Sequence, residues 1–294
     1  MNILITGGTG FIGSRLVKHL VKNEHQVTIL TRSEKSSSNR YITYKKWDAQ
    51  KMPIGMGIYD AVINLAGASI AANRWTDEYK KVILDSRMGP TQACVKFINS
   101  SPNPPKVFLS ASAVGYYGVK KEGEIDEKAD PGDDFAAEVC KKWEDEANKA
   151  QTRTVNMRIG VVLGKGGGAL DEMGPIYKLG LGGRFASGKQ GFPWVHLNDL
   201  IKAMDHFLHN EDTSGPFNLV GPELVNQATF SKQLASALHR PEIFVVPKFA
   251  LDMMFGERSL LFWGGQFPLV DKLKASGFEF QFPKLKEALE DVVS

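Results

Sequence analysis

The residues best placed to do chemistry lie near the amino terminus, in Thr6-Gly7-Gly8-Thr9-Gly10-Phe11-Ile12-Gly13. Glycines recur at every third position between the apolar run Ile3-Leu4-Ile5 and a helical pattern starting at Phe11. Gly7 permits a tight turn, Gly10 lets the backbone approach a diphosphate, and Gly13 lets the helix sit close to the strand. The first N–H groups of a helix have no internal partner, and its dipole is positive at that end. Thr9, Gly10, Phe11, Ile12 and Gly13 thus form a seat for an anionic diphosphate. The spacing is Gly-x-x-Gly-x-x-Gly, not the commoner Gly-x-Gly-x-x-Gly.

The end of the next strand, Val27-Thr28-Ile29-Leu30, selects the dinucleotide. An NAD site places Asp or Glu there, on the ribose 2′-hydroxyl. Here Thr31, Arg32 and Ser33 follow, and none is a carboxylate. A guanidinium presents a planar fork of donors that suits a 2′-phosphate, so Arg32 points to NADP(H), with Lys35 adding charge. The alternative is a solvated arginine in a surface loop. Asp48 reads equally as a cap on an adenine and as a turn residue. Leu65, Ala66 and Gly67 end another strand with small residues, which either let a ribose or nicotinamide pass closely or simply pack tightly.

These residues need a frame. Ile3–Ile5, Val27–Leu30, Ala61–Leu65, Val107–Ser110 and Thr154–Arg158 read as strands, and Phe11–Val21 and Asp134–Ala150 as helices. Such alternation predicts an α/β chain with a Rossmann-type, doubly wound parallel sheet. Trp194–His196 reads as a short strand leading into a helix capped by Asn198, and Phe217–Val220 as a late strand. From Thr229 helical patterns dominate, broken by Pro241, Pro247, Pro268 and Pro283. The expected division is a dinucleotide-binding domain over residues 1–225, with substrate-side elements interleaved around 164–195, and a small, mostly helical lobe over 226–294. Apolar residues make up 43% and charged residues 23% of the 294, which excludes a disordered chain. A net charge of +3 gives no footprint of nucleic-acid binding. No run is long enough to span a membrane. Two distant cysteines, Cys94 and Cys140, and no metal-ligand spacing fit a reducing compartment, so the expectation is cytoplasmic.

With these residues in view, the chain resembles the extended short-chain dehydrogenase/reductases, in their epimerase and dehydratase branch. The opening glycine motif, Ser110-Ala111-Ser112-Ala113-Val114-Gly115-Tyr116-Tyr117-Gly118 and Trp194-Val195-His196-Leu197-Asn198-Asp199-Leu200 carry that resemblance. Asn73-Arg74-Trp75, Asp85-Ser86-Arg87, Trp143-Glu144 and Arg158-Ile159-Gly160 are similar to an atypical subgroup, the YfcH-like epimerase family proteins. Leu260-Leu261-Phe262-Trp263-Gly264-Gly265-Gln266 is similar to its short carboxy-terminal domain of unknown function. The resemblance implies an NADP-binding fold, a small-molecule substrate and relatives that are often dimers, so a homodimer is admitted. Within it Ser110, on the fifth strand, is assigned to the cofactor side.

Active relatives use Ser or Thr with Tyr-x-x-x-Lys, whose lysine lowers the tyrosine pKa so that the phenol exchanges a proton while hydride passes. Ser112 matches the serine. The helix Asp134-Phe135-Ala136-Ala137-Glu138-Val139-Cys140-Lys141 offers Ala136 and Cys140, or Ala137 and Lys141, at the other two places, and no tyrosine in either register. Tyr116, Tyr117 and Glu138 are candidate substitutes. Arg158 could orient an anionic group or make a salt bridge. Trp75 and Arg87 are pocket candidates. His196 reads as a packed histidine, and the Gly164–Gly168 loop either closes over a nicotinamide or is a surface loop. Two functions follow: an NADP-dependent oxidoreductase or epimerase acting on a nucleotide sugar or carbonyl compound, or a non-catalytic NADPH-binding regulator.

Overall fold

The computed structural model describes residues 1–119 and 123–294. Seven strands form one parallel sheet: β1 (Asn2–Thr6), β2 (Gln26–Thr31), β3 (Ile42–Lys46), β4 (Ala61–Asn64), β5 (Val107–Ala113), β6 (Arg153–Ile159) and β7 (Gly215–Leu219). Their order across the sheet is β7-β6-β5-β4-β1-β2-β3. The strand order therefore reverses between β1 and β4, which run parallel. A crevice opens there at the carboxyl ends of the strands, where doubly wound sheets bind ligands.

Period-two alternation decides which side chains meet which helices. Helices α1 (Phe11–Lys22), α2 (Asp77–Ser100), α3 (Phe135–Ala147), α4 (Ala169–Lys178), α5 (Leu197–His209) and α6 (Gln227–Ala237) follow in chain order. Ile3, Ile5, Ile63 and Leu109 face α1 and α5, meeting Leu16, Leu20, Met204 and Phe207. Leu4, Val62 and Phe108 face the other way, toward Cys94 and Ile98 of α2 and Ala147 of α3. Both faces are covered over the central strands, so β1, β2 and β4 are largely apolar, whereas the edge strand β3 is partly exposed and polar.

Helix α1 buries Gly13, Leu16, Val17 and Leu20, a face one step round from the Ile12–Leu16–Leu20–Val21 stripe expected from the sequence. Helix α2 runs unbroken through Pro90. Helix α5 begins at Leu197, and its cap is His196, not Asn198: the imidazole Nδ1 accepts from the Asn198 amide at 3.1 Å. That imidazole is buried, stacks 3.8 Å from Phe282 and meets Asp291 at 3.2 Å. It is a packed histidine, as expected. A separate core joins α6 to the terminal helix Leu285–Val293 through Phe230, Leu234, Leu285 and Leu289. Leu273 and Phe278 return to the main core, so the carboxy-terminal segment is stitched to the sheet. Among the described residues no helix is long and apolar enough to cross a membrane.

Candidate functional site

The glycine motif folds as a tight turn. Gly7 has φ +69°, and the Gly10 amide donates to the Gly7 carbonyl at 3.0 Å. A Cβ at Gly7 would lie 2.5 Å from the Leu65 carbonyl oxygen, so the turn nests against the end of β4. Gly10 caps α1 with no side-chain hydrogen bond, which leaves the first amides of the helix unpartnered by any cap. A buried chain of hydrogen bonds fixes the strand ends beneath. The Thr6 hydroxyl donates to Asn64 Oδ1 at 2.6 Å, Asn64 Nδ2 to Thr91 Oγ1 at 2.8 Å, and Thr91 to the Arg87 carbonyl at 2.7 Å.

Above this turn lies a cleft of about 770 Å³ lined by Gly7, Thr9, Gly10, Thr31, Arg32, Asp48, Leu65, Ala66 and Gly67. Sequence reasoning placed all of these on the cofactor side. Lys35, Trp47, Asp85, Ser86 and Pro90 are among the other residues on its wall. Arg32 is exposed and takes part in no hydrogen bond or salt bridge with the described residues, so its fork is free for a ligand. Asp48 Oδ1 accepts from the amides of Gln50 (2.9 Å) and Lys51 (3.0 Å), which pulls its pKa below the ordinary carboxylate value. It shapes the wall as a turn residue. Gly13 is buried under the turn. Ser110, placed on the cofactor side by the resemblance, is buried in the sheet and lines neither this cleft nor the second cavity described below.

A second cavity, of about 440 Å³, begins at Phe11 and Ile12 and extends under α4 and the Leu260–Trp263 helix. Val114, Gly115 and Ala136 also line it. Both Ala136 and Cys140 face Gly115: a Cβ there would lie 3.6 Å from Ala136 Cβ and 3.8 Å from Cys140 Sγ. Burial pushes the Cys140 thiol up to about 12, so no thiolate forms near neutral pH. The Gly164–Gly168 loop packs on the Phe11 ring, where a Cβ at Gly167 would come within 2.4 Å. It contributes Gly168 to the cavity wall.

None of the four candidate catalytic residues faces this cavity, and each has a structural reason. Ser112 continues the face of Phe108, toward α3, and its hydroxyl donates to Glu144 Oε1 at 2.6 Å. Glu144 is held bidentate by Arg158, Nε to Oε1 at 2.9 Å and Nη2 to Oε2 at 2.8 Å. Arg158 is therefore part of a buried salt bridge, not an anchor for substrate. Its Nη1 also donates to Tyr117 Oη at 3.0 Å, and Tyr117 donates to Asn218 Oδ1 at 2.6 Å. Burial pushes the Tyr117 phenol up to about 12, so it holds its proton and is a poor acid at neutral pH. The Tyr116 ring stacks 3.5 Å under the Arg158 guanidinium. Glu138 is exposed and pairs with Lys142 at 2.6 Å, one turn along α3. Glu138→Gln is expected to move stability by no more than about 0.5 kcal/mol in urea unfolding, since exposed i,i+4 pairs contribute little.

Trp75 lines neither cavity. Its indole donates to the Ile70 carbonyl at 2.9 Å and so holds a residue that does line the second. Arg87 has no carboxylate partner among the described residues. It donates to the Ile83 carbonyl at 2.9 Å and sits 5.1 Å over the Trp143 ring. Burial depresses its pKa, and a Cβ at Gly67 would be 3.4 Å from its Cζ. It stands directly behind the loop that borders the first cleft.

A family model described as the NAD dependent epimerase/dehydratase family matches residues 3–221. The chain belongs to that family. A second model, a domain of unknown function (DUF1731), matches residues 246–292 of this epimerase family chain. An epimerase family protein of Staphylococcus aureus (strain MRSA252) is 40% identical over 300 residues, covering 99% of this chain and 98% of that one. The crystal structure of the human epimerase family protein SDR39U1 (isoform 2), solved with NADPH, superposes with a TM-score of 0.91 at 35% identity and covers 99% of both chains. The nucleoside-diphosphate sugar epimerase of Corynebacterium glutamicum superposes at 0.79 with 26% identity, covering 100% of this chain but 58% of its own.

Proposed function

We propose that this epimerase family chain binds NADPH in the 770 Å³ cleft and acts as an oxidoreductase or epimerase-like enzyme on a small molecule in the adjoining cavity. The observation that carries this is the convergence on one cleft of the glycine turn, the uncapped start of α1 and the unpaired Arg32. The residues fit the cofactor: free helix-start amides suit the diphosphate, and a free guanidinium suits the 2′-phosphate. The human relative solved with NADPH supports the choice of dinucleotide. Bound NADPH supplies a hydride. The chain's own part is to bind and orient both partners. Arg87, lacking an acid partner and set behind Gly67, brings positive charge to the nicotinamide end, where Cys140 stands in the lysine place. With Ala136 in the tyrosine place, the proton that carbonyl reduction requires comes from a water molecule that reaches the carbonyl oxygen. We assign residues 1–225 to the cofactor domain and 226–294 to the substrate-side lobe. The vacated relay positions also favour a second reading, an NADPH-binding regulator without turnover.

Nicotinamide fluorescence tests the proposal. Arg32→Ala is expected to weaken NADPH by about 1.5–3 kcal/mol and leave NADH unchanged, as for a charge-assisted phosphate contact. Equal affinities of the unaltered protein for the two dinucleotides would overturn it. NADPH oxidation across a carbonyl panel then separates enzyme from regulator.

A further inference from the structure

We infer that the second cavity takes an uncharged, predominantly apolar ligand rather than a nucleotide sugar. This deepens the proposed function, because the cavity is the substrate side only if NADPH fills the first cleft. Its walls include Ile70, Val114, Val162, Met173, Phe185 and Phe192, each from a separate stretch of chain. Among the described residues no lysine, arginine or histidine lines it.

Most polar groups that reach the wall are already engaged; the exceptions are the Gln190 Oε1 acceptor, which is buried without a partner, and the exposed Glu172 carboxylate. Asp134 caps α3 through Oδ1 to the Ala137 amide at 3.0 Å, and its Oδ2 accepts from Val119 at 3.1 Å. Gln227 Oε1 accepts from the Phe185 amide at 2.8 Å. Gln190 Nε2 donates to the Phe185 and Phe262 carbonyls, both at 3.0 Å. Gln266 Nε2 donates to the Gly118 carbonyl. The nearby buried guanidinium, Arg158, is committed to Glu144.

A sugar nucleotide brings a diphosphate that must be met by cations or by free helix-start amides when it leaves water, and the start of α4 on this wall carries Asp171 and Glu172 in its first turn, which repel it. This cavity offers it instead the carboxylates of Asp134 and Glu172. An uncharged apolar ketone or alcohol loses no such solvation and gains from burial against the aliphatic and aromatic wall.

The test uses the full chain with saturating NADPH and the uncharged probe N-phenyl-1-naphthylamine, whose fluorescence rises in apolar surroundings. The expected result is saturable enhancement, reversed by a medium-chain methyl ketone and not by UDP-glucose at about 1 mM. Leu261→Glu, at a cavity residue 38% exposed and so tolerant of change, and Met173→Glu should each weaken the probe at least about tenfold by placing a charge in the apolar wall. Displacement by UDP-glucose, absence of enhancement, or unchanged binding in both variants overturns the inference. NADPH fluorescence on the same samples keeps the two readings apart. Probe binding without NADPH binding sinks the cofactor assignment alone, and NADPH binding without probe binding sinks the cavity assignment alone.

Discussion

Glu144→Ala should lower the free energy of unfolding by about 3–5 kcal/mol, the usual result of removing one partner from a buried ion pair. Arg158 is 2% exposed, and its guanidinium is oriented by both Glu144 oxygens. Burial works against its charge, yet the paired carboxylate outweighs burial and holds its pKa above the ordinary arginine value. Removing the carboxylate strands that cation and frees the Ser112 hydroxyl together. Urea unfolding followed by circular dichroism gives the measurement. Because the pair also bears a large desolvation penalty, Glu144→Met combined with Arg158→Met should recover much of the loss. A single-variant loss below about 1 kcal/mol would mean that water reaches the guanidinium and that the pair is not sealed. NADPH affinity should stay unchanged in whichever variants fold, since neither residue lines the first cleft.

This salt bridge also explains why the chemistry was harder to read than the fold. The strands were legible because burial on both faces makes them continuous apolar runs, and the glycine motif because each glycine answers a separate steric demand. Helix α2 was not legible. Gly89-Pro90 reads as a break, yet the helix continues through it. Gly89 is small because the Ala49 carbonyl passes 2.9 Å from where its Cβ would be, and buried Pro90 lines the cleft. Tertiary packing there outweighs the local cost of proline in a helix.

For Ser112 a usable signal was present but went unread. Residues two apart on a strand share a face, so Ser110 and Ser112 follow Phe108 toward α2 and α3. The motif match fixed its place along β5, not its side of the sheet. Likewise the distance in sequence between Glu144 and Arg158 concealed that the two are partners. The second cavity was out of reach for another reason. Its wall is drawn from stretches far apart in sequence, each ordinary on its own.

The other large effect is predicted at Gly13, and its contrast with Gly10 is diagnostic. A Cβ at Gly13 would lie 2.2 Å from the Gly7 carbonyl oxygen and 2.7 Å from Gly8 Cα. Both are backbone atoms, so the turn and α1 must separate. A Cβ at Gly10 would lie 3.3 Å from the Gly7 carbonyl, a contact that a few tenths of an ångström relieve. Gly13→Ala should therefore lower stability by about 1–3 kcal/mol even without ligand, as overpacking does. It should also weaken NADPH more than about 100-fold, or about 2.7 kcal/mol, because the helix-start amides lose their aim. Gly10→Ala should leave the ligand-free melting temperature nearly unchanged and weaken NADPH by obstructing the approach of the diphosphate. Thermal unfolding with and without NADPH distinguishes the two. Equal ligand-induced rises in melting temperature for Gly13→Ala and the unaltered chain would show that the diphosphate is not seated on this turn.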